Sequence, residues 1–401
     1  MRIGMMADVY KPHVSGITNY IALYKRFLEQ AGHEVFVFTF GDLGYADTED
    51  HVLRSPGLPL VDTGYYLNFR YSRAGKSLLQ TMDLVHVHHP FLSGRLALAY
   101  CRPLGIPIVF TNHTRYDLYA QAYLPRLPEE LSETFLQSYL PPFCEAVDAV
   151  ISPSAGMAQV LGRLGVKCPI EVVPNGVDLQ RFHPLQDADA CLRLEMGFQK
   201  QDVLWVYVGR LAPEKNVQFL IQAFSGVADA LDRIQLLIIG TGPEEESLRN
   251  LVLQLNQNER VHFLGAVDHE ALPKYLALCD VFVSASVTEV HPLSVIEALS
   301  AGLPVLGIQS VGVGDTVENE KTGFLTRQDP AAFTARMTQL CLDQRLRIEL
   351  GKAARLSAEK YDIHRTSQMM LAIYERLIYK SGPPRRSVGA RLRSRLGKLQ
   401  P

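Results

Sequence analysis

The 401-residue sequence has no long hydrophobic run. A helix that crosses a bilayer needs roughly 18–20 consecutive apolar residues. No stretch here approaches that, so any membrane contact is expected to be peripheral. The first residues, MRIGMMADVYKP, contain no long apolar core, and no signal peptide is expected. Cysteine is sparse. Cys101, Cys144, Cys168, Cys191, Cys279 and Cys341 are scattered, with no C-x-x-C pair. That spacing excludes a zinc module and fits idle thiols in a reducing cytosol. No acidic metal-binding motif is evident. Net charge is also small: 40 Lys and Arg against 42 Asp and Glu leave −2. There is no global drive toward nucleic acid. A cytoplasmic protein is expected, at most peripheral on the inner face of the membrane.

What is present is the make-up of an ordinary globular chain, 47% apolar and 20% charged. Its length exceeds one comfortable core, so two domains are expected. Short β-rich runs alternate with helical patterns. RIGMMAD is followed by a glycine loop, KPHVSGITN, and an amphipathic helix, YIALYKRFLEQAG. HEVFVFTF, DLVHVHHP, PIVFTNH, AVISPS and IEVVPNGVD repeat the grammar of parallel βαβ units. The pattern relaxes around 174–200 and then restarts with VLWVYVGRLAPEKN, IQLLIIGTGPEE, RVHFLGAV, DVFVSAS and LPVLGIQ. This predicts two Rossmann-like α/β domains, 1–180 and 181–363, facing across a cleft. Residues 331–379 read as mainly helical, with a last helix near 364–379. Segment 380–401 is expected to be a basic, flexible tail carrying Lys380, Arg385, Arg386, Arg391, Arg393, Arg395 and Lys398.

Chemistry concentrates where strands end. In SVTEVHPLSVIEALSAG, residues 286–302, Pro292 suits the first helical position and Gly302 the stop. Glu289 then precedes a helix whose free N–H groups suit an anion, and Glu297 lies on the same face as Leu293 and Ser294. A phosphate with a sugar at each end would use all of these. Equally, Glu289 could serve the helix dipole and Glu297 face solvent. YVGRLAPEKN places Arg210 and Lys215 after a strand, able to stabilise a departing diphosphate or simply to be solvated. GTGPEEESL is either a phosphate contact or a plain strand-to-helix turn. Ser15 and Gly16 fill a βα loop, where a glycine allows close approach of a phosphate or sugar. His113 follows a strand and suits either a catalytic or a structural part.

Together these residues resemble the retaining glycosyltransferases of family four, which have the GT-B fold. The markers are Glu289-x7-Glu297 with ALSAGLPV, VGRLAPEKN, VVPNGVD and the His-Thr pair at 113–114, in the family's order from Met1 to about Tyr379. The resemblance implies that Arg210 and Lys215 hold the donor diphosphate. Glu297 would hold the ribose hydroxyls, and Glu289 the hydroxyls of the transferred sugar. Backbone N–H groups at Leu293 and Ser294 would meet phosphate or sugar, Gly16 would close against the donor, His113 would sit near the reacting sugar, and the last helix, near 364–379, would pack back on the first domain. The anomeric configuration would be retained through front-side attack assisted by the leaving phosphate. The donor would be a nucleotide-sugar, a UDP-hexose favoured, with no metal and no cofactor. The sequence departs from the family in having Ser15–Gly16 for two adjacent glycines. It also has Val290 and His291 after the first glutamate, which leaves the sugar open.

VHVHHPFLSG followed by IPIVFTNHTRYDLYAQAYLP is similar to the branch that glycosylates lipids, diacylglycerol glucosyltransferases especially. That branch implies a lipid acceptor, with Ser15, Tyr116 and Tyr119 on the acceptor side. YYLNFRYSRAGKS mixes aromatics with Arg70, Arg73 and Lys76, which suits anionic headgroups, and the basic tail would add to that attraction. Both could instead be solvated surface. Three other readings stand beside this one: the same donor chemistry on a soluble sugar, cyclitol or polysaccharide; a non-catalytic nucleotide-sugar-binding module; and a nicotinamide dehydrogenase. The last is weakened because no complete G-x-G-x-x-G with a downstream acid follows the first strand. No nucleic-acid partner is expected.

Overall fold

Apolar runs such as EVFVFTF and VLWVYV have no polar alternation, so their strands must be covered on both faces. The computed structural model describes residues 1–60, 66–118, 129–182 and 192–382, with backbone only at 129–133. It builds two units, one of residues 1–114, 128–176 and 363 onward, the other of 115–127 and 177–362.

In the first unit the strands are β1 (Arg2–Met6), β2 (Glu34–Phe40), β3 (Val52–Ser55), β4 (Leu58–Pro59), β5 (Tyr66–Leu67), β6 (Leu84–Val87), β7 (Ile108–Thr111), β8 (Ala149–Ser152) and β9 (Ile170–Val172). Seven of them form one parallel sheet in the order β3-β2-β1-β6-β7-β8-β9, and β4 and β5 make a small antiparallel hairpin. The connecting helices are α1 (Gly16–Gln30), α2 (Arg73–Leu79), α3 (Leu92–Tyr100), α4 (Glu129–Ala146) and α5 (Ala155–Arg163). The sequence suggested a glycine loop up to Asn19. The helix begins at Gly16 because Ser15 caps it: Thr18 N donates to Ser15 Oγ at 3.2 Å and Ser15 N to Thr18 Oγ1 at 2.8 Å.

The C-terminal helix, Ile363–Ser381, belongs to this first unit. Its Met370, Ile373, Tyr374 and Leu377 pack with Ile21, Tyr24 and Leu28 of α1. A buried hydrogen bond, His86 Nδ1 to the Tyr374 hydroxyl at 2.5 Å, fastens it to β6.

The second unit has β10 (Val203–Val208), β11 (Ile234–Ile239), β12 (Val261–Gly265), β13 (Val281–Ser284), β14 (Val305–Ile308) and β15 (Gly323–Thr326). They are parallel in the order β12-β11-β10-β13-β14-β15. Its helices are α6 (Val217–Ala228), α7 (Glu245–Gln254), α8 (Leu272–Ala277), α9 (Leu293–Ser300), α10 (Val311–Thr316), α11 (Pro330–Leu342) and α12 (Gln344–Ala358). Trp205 and Tyr207 of β10 pack with Leu220 and Phe224 of α6 and Phe333 of α11. Leu204 and Val206, on the opposite face, pack with Val295 and Leu299 of α9 and Ala354 of α12. In both sheets the strand order reverses beside the first strand, at β1/β6 and at β10/β13, which is the doubly wound pattern.

Among the buried histidines are His86 and His88 in the first unit, and His291 against Tyr361 in the second. Burial pushes His86 and His291 down to about 3 and lowers His88 as well. All three are neutral when folded and free to take a proton when unfolded. Their stabilising effect is therefore complete above the unfolded value of about 6.5 and is lost as the pH falls below it. Urea unfolding at pH 7.5 and 5.5 should show a lower unfolding free energy in acid, by at least about 1.4 kcal/mol per pH unit. Equal stability at the two pH values would contradict this account of the buried imidazoles.

Candidate active site

The second unit's site forms where β10 and β13, neighbours in the sheet, send their chains to opposite faces. Loop 209–216 leaves β10 and loop 285–292 leaves β13, and side chains stitch them together. Ser286 Oγ and Thr288 Oγ1 both donate to the Glu214 carbonyl at 3.3 Å, and Asn216 Nδ2 donates to the Ala285 carbonyl at 3.4 Å. Asn216 takes a left-handed conformation, φ 55°, to make that turn. Two glycines allow close packing around these loops. A Cβ at Gly240 would lie 1.9 Å from the Gly209 carbonyl oxygen, so the GTG turn serves as a backbone contact for loop 209–216. A Cβ at Gly312 would lie 2.5 Å from the carbonyl oxygen of Glu289, which accepts a hydrogen bond from Gly312 N at 2.9 Å.

These ties bring Lys215 and Glu289 together, Nζ to Oε1, at 2.6 Å, both side chains mostly buried. Arg210 is exposed on the same loop, below the hydroxyl of Tyr207, which donates to the Arg210 carbonyl at 2.9 Å. Pro292 stands at the cap position of α9, so Leu293, one residue later than expected, opens the helix. No side chain caps that end, and its first-turn N–H groups, at Leu293 and Ser294, are suited to an anion. Glu297 faces inward, not to solvent: its side chain is 7% exposed and its Oε1 accepts from His269 Nε2 at 2.8 Å. Arg181 in turn holds His269. Val290 and His291 are both buried, so any part they have in choosing a sugar runs through the backbone or the loop's shape.

In the first unit, β1 and β6 mark the corresponding crevice. Asp8, just past β1, accepts from Ser93 N at 2.7 Å and from the Ser93 hydroxyl at the start of α3. His89 Nδ1 accepts from Asp8 N at 3.2 Å. His113 follows β7; its Nε2 lies 3.0 Å from His88 Nδ1, and its ring packs edge-on to Tyr20 at 4.7 Å. Burial and the neighbouring histidines hold His113 well below its usual value, so it is a neutral hydrogen-bonding group rather than a cation. Gly16 opens α1 with no protein atom within 4 Å of where a Cβ would stand. Ser15 uses its hydroxyl as the cap. Tyr116, which belongs to the second unit, is half-buried, with a buried hydroxyl. Tyr119 and the basic residues from Arg385 to Lys398 lie outside the described residues.

Neither His269 nor Arg181, nor Asp8 nor His88, stands out in the sequence. None repeats with a helix or strand period, and their partners are distant in the chain. Only their position just past strands β1, β6 and β12 could have flagged three of them. Among the described residues there is no cluster of three or more His, Cys, Asp or Glu that could hold a metal ion, and no helix long and apolar enough to cross a membrane.

In chemical terms the second unit offers two cations, an uncapped helix start and two carboxylates along one edge. That array can grip a diphosphate flanked by hydroxyl-bearing groups. Residues 14–181 match the family described as Glycosyltransferase Family 4, and residues 193–357 match Glycosyl transferases group 1. The chain is 29% identical over 333 residues to the alpha-monoglucosyldiacylglycerol synthase of Streptococcus pneumoniae, covering 81% of this chain and 75% of that one. It is 28% identical over 338 residues to the enzyme of the same name from Acholeplasma laidlawii, covering 81% and 84%. Among solved structures, sucrose-phosphate synthase from Thermosynechococcus elongatus superposes with a TM-score of 0.79 over 94% of this chain and 99% of that one, at 23% identity. With one matching family on each Rossmann-like unit, the chain belongs to the family 4 glycosyltransferases of GT-B fold, and it is a hexosyltransferase.

Proposed function

We propose that this glycosyltransferase moves a hexose from a UDP-sugar, with retention, to a lipid acceptor such as diacylglycerol at a membrane surface. The observation that carries the donor side is the Lys215–Glu289 pair, set beside the uncapped start of α9 at the reversal of strand order. Arg210 and Lys215 hold the diphosphate, Glu289 the sugar hydroxyls, and Glu297 the ribose. The bond from the anomeric carbon to the diphosphate oxygen breaks. The acceptor oxygen bonds to the same face of that carbon, and its proton passes to the leaving phosphate. The two cations supply the charge stabilisation that a metal would otherwise give, so the reaction needs none. Neutral His113 hydrogen-bonds a sugar hydroxyl.

The lipid acceptor is supported by the two similar proteins named alpha-monoglucosyldiacylglycerol synthase. It is also supported by the surface around the β4–β5 hairpin. Leu58 is 75% and Phe69 72% exposed there, with Arg70 next to Phe69 in the chain and Arg73 shortly after it. Apolar side chains beside cations suit the boundary between acyl chains and anionic headgroups. Peripheral attachment to the inner face of the cytoplasmic membrane follows, with Lys380 and the basic residues after it adding attraction.

Lys215→Ala should lower kcat about 100-fold, the scale expected when one positioned transition-state donor is lost, with little change in Tm. A variant at full activity would remove Lys215 from the leaving-group role. Glu297→Ala should weaken donor binding about tenfold or more, because charge-assisted hydrogen bonds are lost. Unchanged affinity would reject the ribose assignment. A panel of UDP-, GDP- and ADP-hexoses against diacylglycerol and soluble acceptors, with products read by NMR, should give the α-glycolipid from an α-linked UDP-hexose. An inverted anomer refutes retention, and preference for a soluble sugar, cyclitol or polysaccharide selects the alternative acceptor class. Removing 381–401 should reduce co-sedimentation with anionic liposomes while donor hydrolysis continues. Equal liposome binding would count against the tail.

A further inference from the structure

Glu297 is oriented by two residues that lie far from it in the chain. His269 belongs to the loop between β12 and α8, and its Nε2 is 2.8 Å from Glu297 Oε1. Its other ring nitrogen, Nδ1, is 3.3 Å from Arg181 Nη1, while Arg181 Nη2 donates to the carbonyl of His269 at 2.8 Å. Arg181 also pairs with Glu270 at 3.3 Å. A guanidinium has five donors and no acceptor. Nδ1 must therefore be the bare, accepting nitrogen. The single ring proton is left on Nε2, where it is donated to Glu297. The imidazole is fixed at both ends, and its tautomer follows from what its partners are able to do.

This has a direct effect on the carboxylate. Glu297 sits in the second turn of a buried helix face. No other hydrogen bond reaches its carboxylate among the described residues. With Oε1 occupied by His269, Oε2 is the oxygen left to accept from a ligand, and the plane of the carboxylate is set by the imidazole. Such outer contacts commonly fix the orientation of a ligand-binding group.

We propose that His269 is a positioning residue of the donor site, locked by Arg181 as the Nε2–H tautomer so that it holds one oxygen of Glu297 and presents the other to the vicinal hydroxyls of the nucleotide's ribose. The proposal rests on the reading of Glu297 as the ribose contact. It makes Arg181–His269–Glu297 one unit that tunes nucleotide affinity without touching the transferred sugar.

The test uses the full chain and its His269→Ala, His269→Gln and Glu297→Ala variants, titrated calorimetrically with UDP, GDP and ADP, together with imidazole ¹⁵N spectra. Glutamine can place an amide N–H near the position of Nε2. His269→Ala should weaken nucleotide binding about tenfold, the effect of one lost hydrogen bond to a charged group. Its kcat at saturating donor should stay within about twofold. His269→Gln should recover most of the affinity, and the His269 ring should show its proton on Nε2. A proton on Nδ1 overturns the lock. Unchanged affinity in His269→Ala, beside a weakened Glu297→Ala, overturns the inference alone. Unchanged affinity in Glu297→Ala overturns the ribose reading and the inference with it.

Discussion

The site depends on a constraint of parallel sheets. Each crossover from strand to helix to strand is right-handed, so the direction in which the chain moves along the sheet decides which face its helix covers. From β10 the chain moves one way through α6 to β11, and from β13 it moves the other way through α9 to β14. The two neighbouring strands thus deliver their chains to opposite faces, and the loops that diverge leave an opening at the strands' carboxyl ends. Apart from Arg181, which precedes β10, everything with a chemical part in this unit lies on those loops, at the start of α9, or on the loop after β12. The first unit obeys the same rule at β1 and β6, where Asp8, His88 and His89 gather.

Loops that diverge must still hold charged groups at fixed distances. Here the backbone does much of that work. The Glu214 carbonyl receives two hydroxyls from the facing loop, and glycines at 240 and 312 bring backbone to within contact of Gly209 and Glu289. Lys215 and Glu289 are thus anchored through main chain and short side chains, leaving few rotamers to be lost when a ligand arrives. Ordering cost is low where the framework has already met it.

Much of this was legible from sequence, for identifiable reasons. The strands have apolar runs, the helices show their period, and the loops carry Gly, Pro and polar residues. Glu289, Glu297, Arg210 and Lys215 stood out because they break an apolar pattern just past predicted strands. The start of α1 was misplaced because a capping serine reads like a loop residue until its hydrogen bond to Thr18 is seen. The inward orientation of Glu297 could not be read, since one side of a short helix looks like another without its packing partner. His269 and Arg181 were invisible for a deeper reason. They lie 88 residues apart, and His269 is a further 28 from Glu297. A relation of that kind is created by topology and has no local pattern.

The C-terminal helix, Ile363–Ser381, packs on α1 of the first unit although the whole second unit intervenes in the chain. This sets an order of events at the ribosome. The first unit's sheet strands are all synthesised by residue 172, yet the apolar face of Ile21, Tyr24 and Leu28 must wait for nearly two hundred further residues before Met370, Ile373 and Tyr374 cover it. During that interval the buried imidazole of His86 also lacks the tyrosine hydroxyl that satisfies it. The nascent first unit is a sticky intermediate by construction, and the second unit is made while it waits. Truncation anywhere before the last helix would therefore strip a core-forming element from the domain synthesised first.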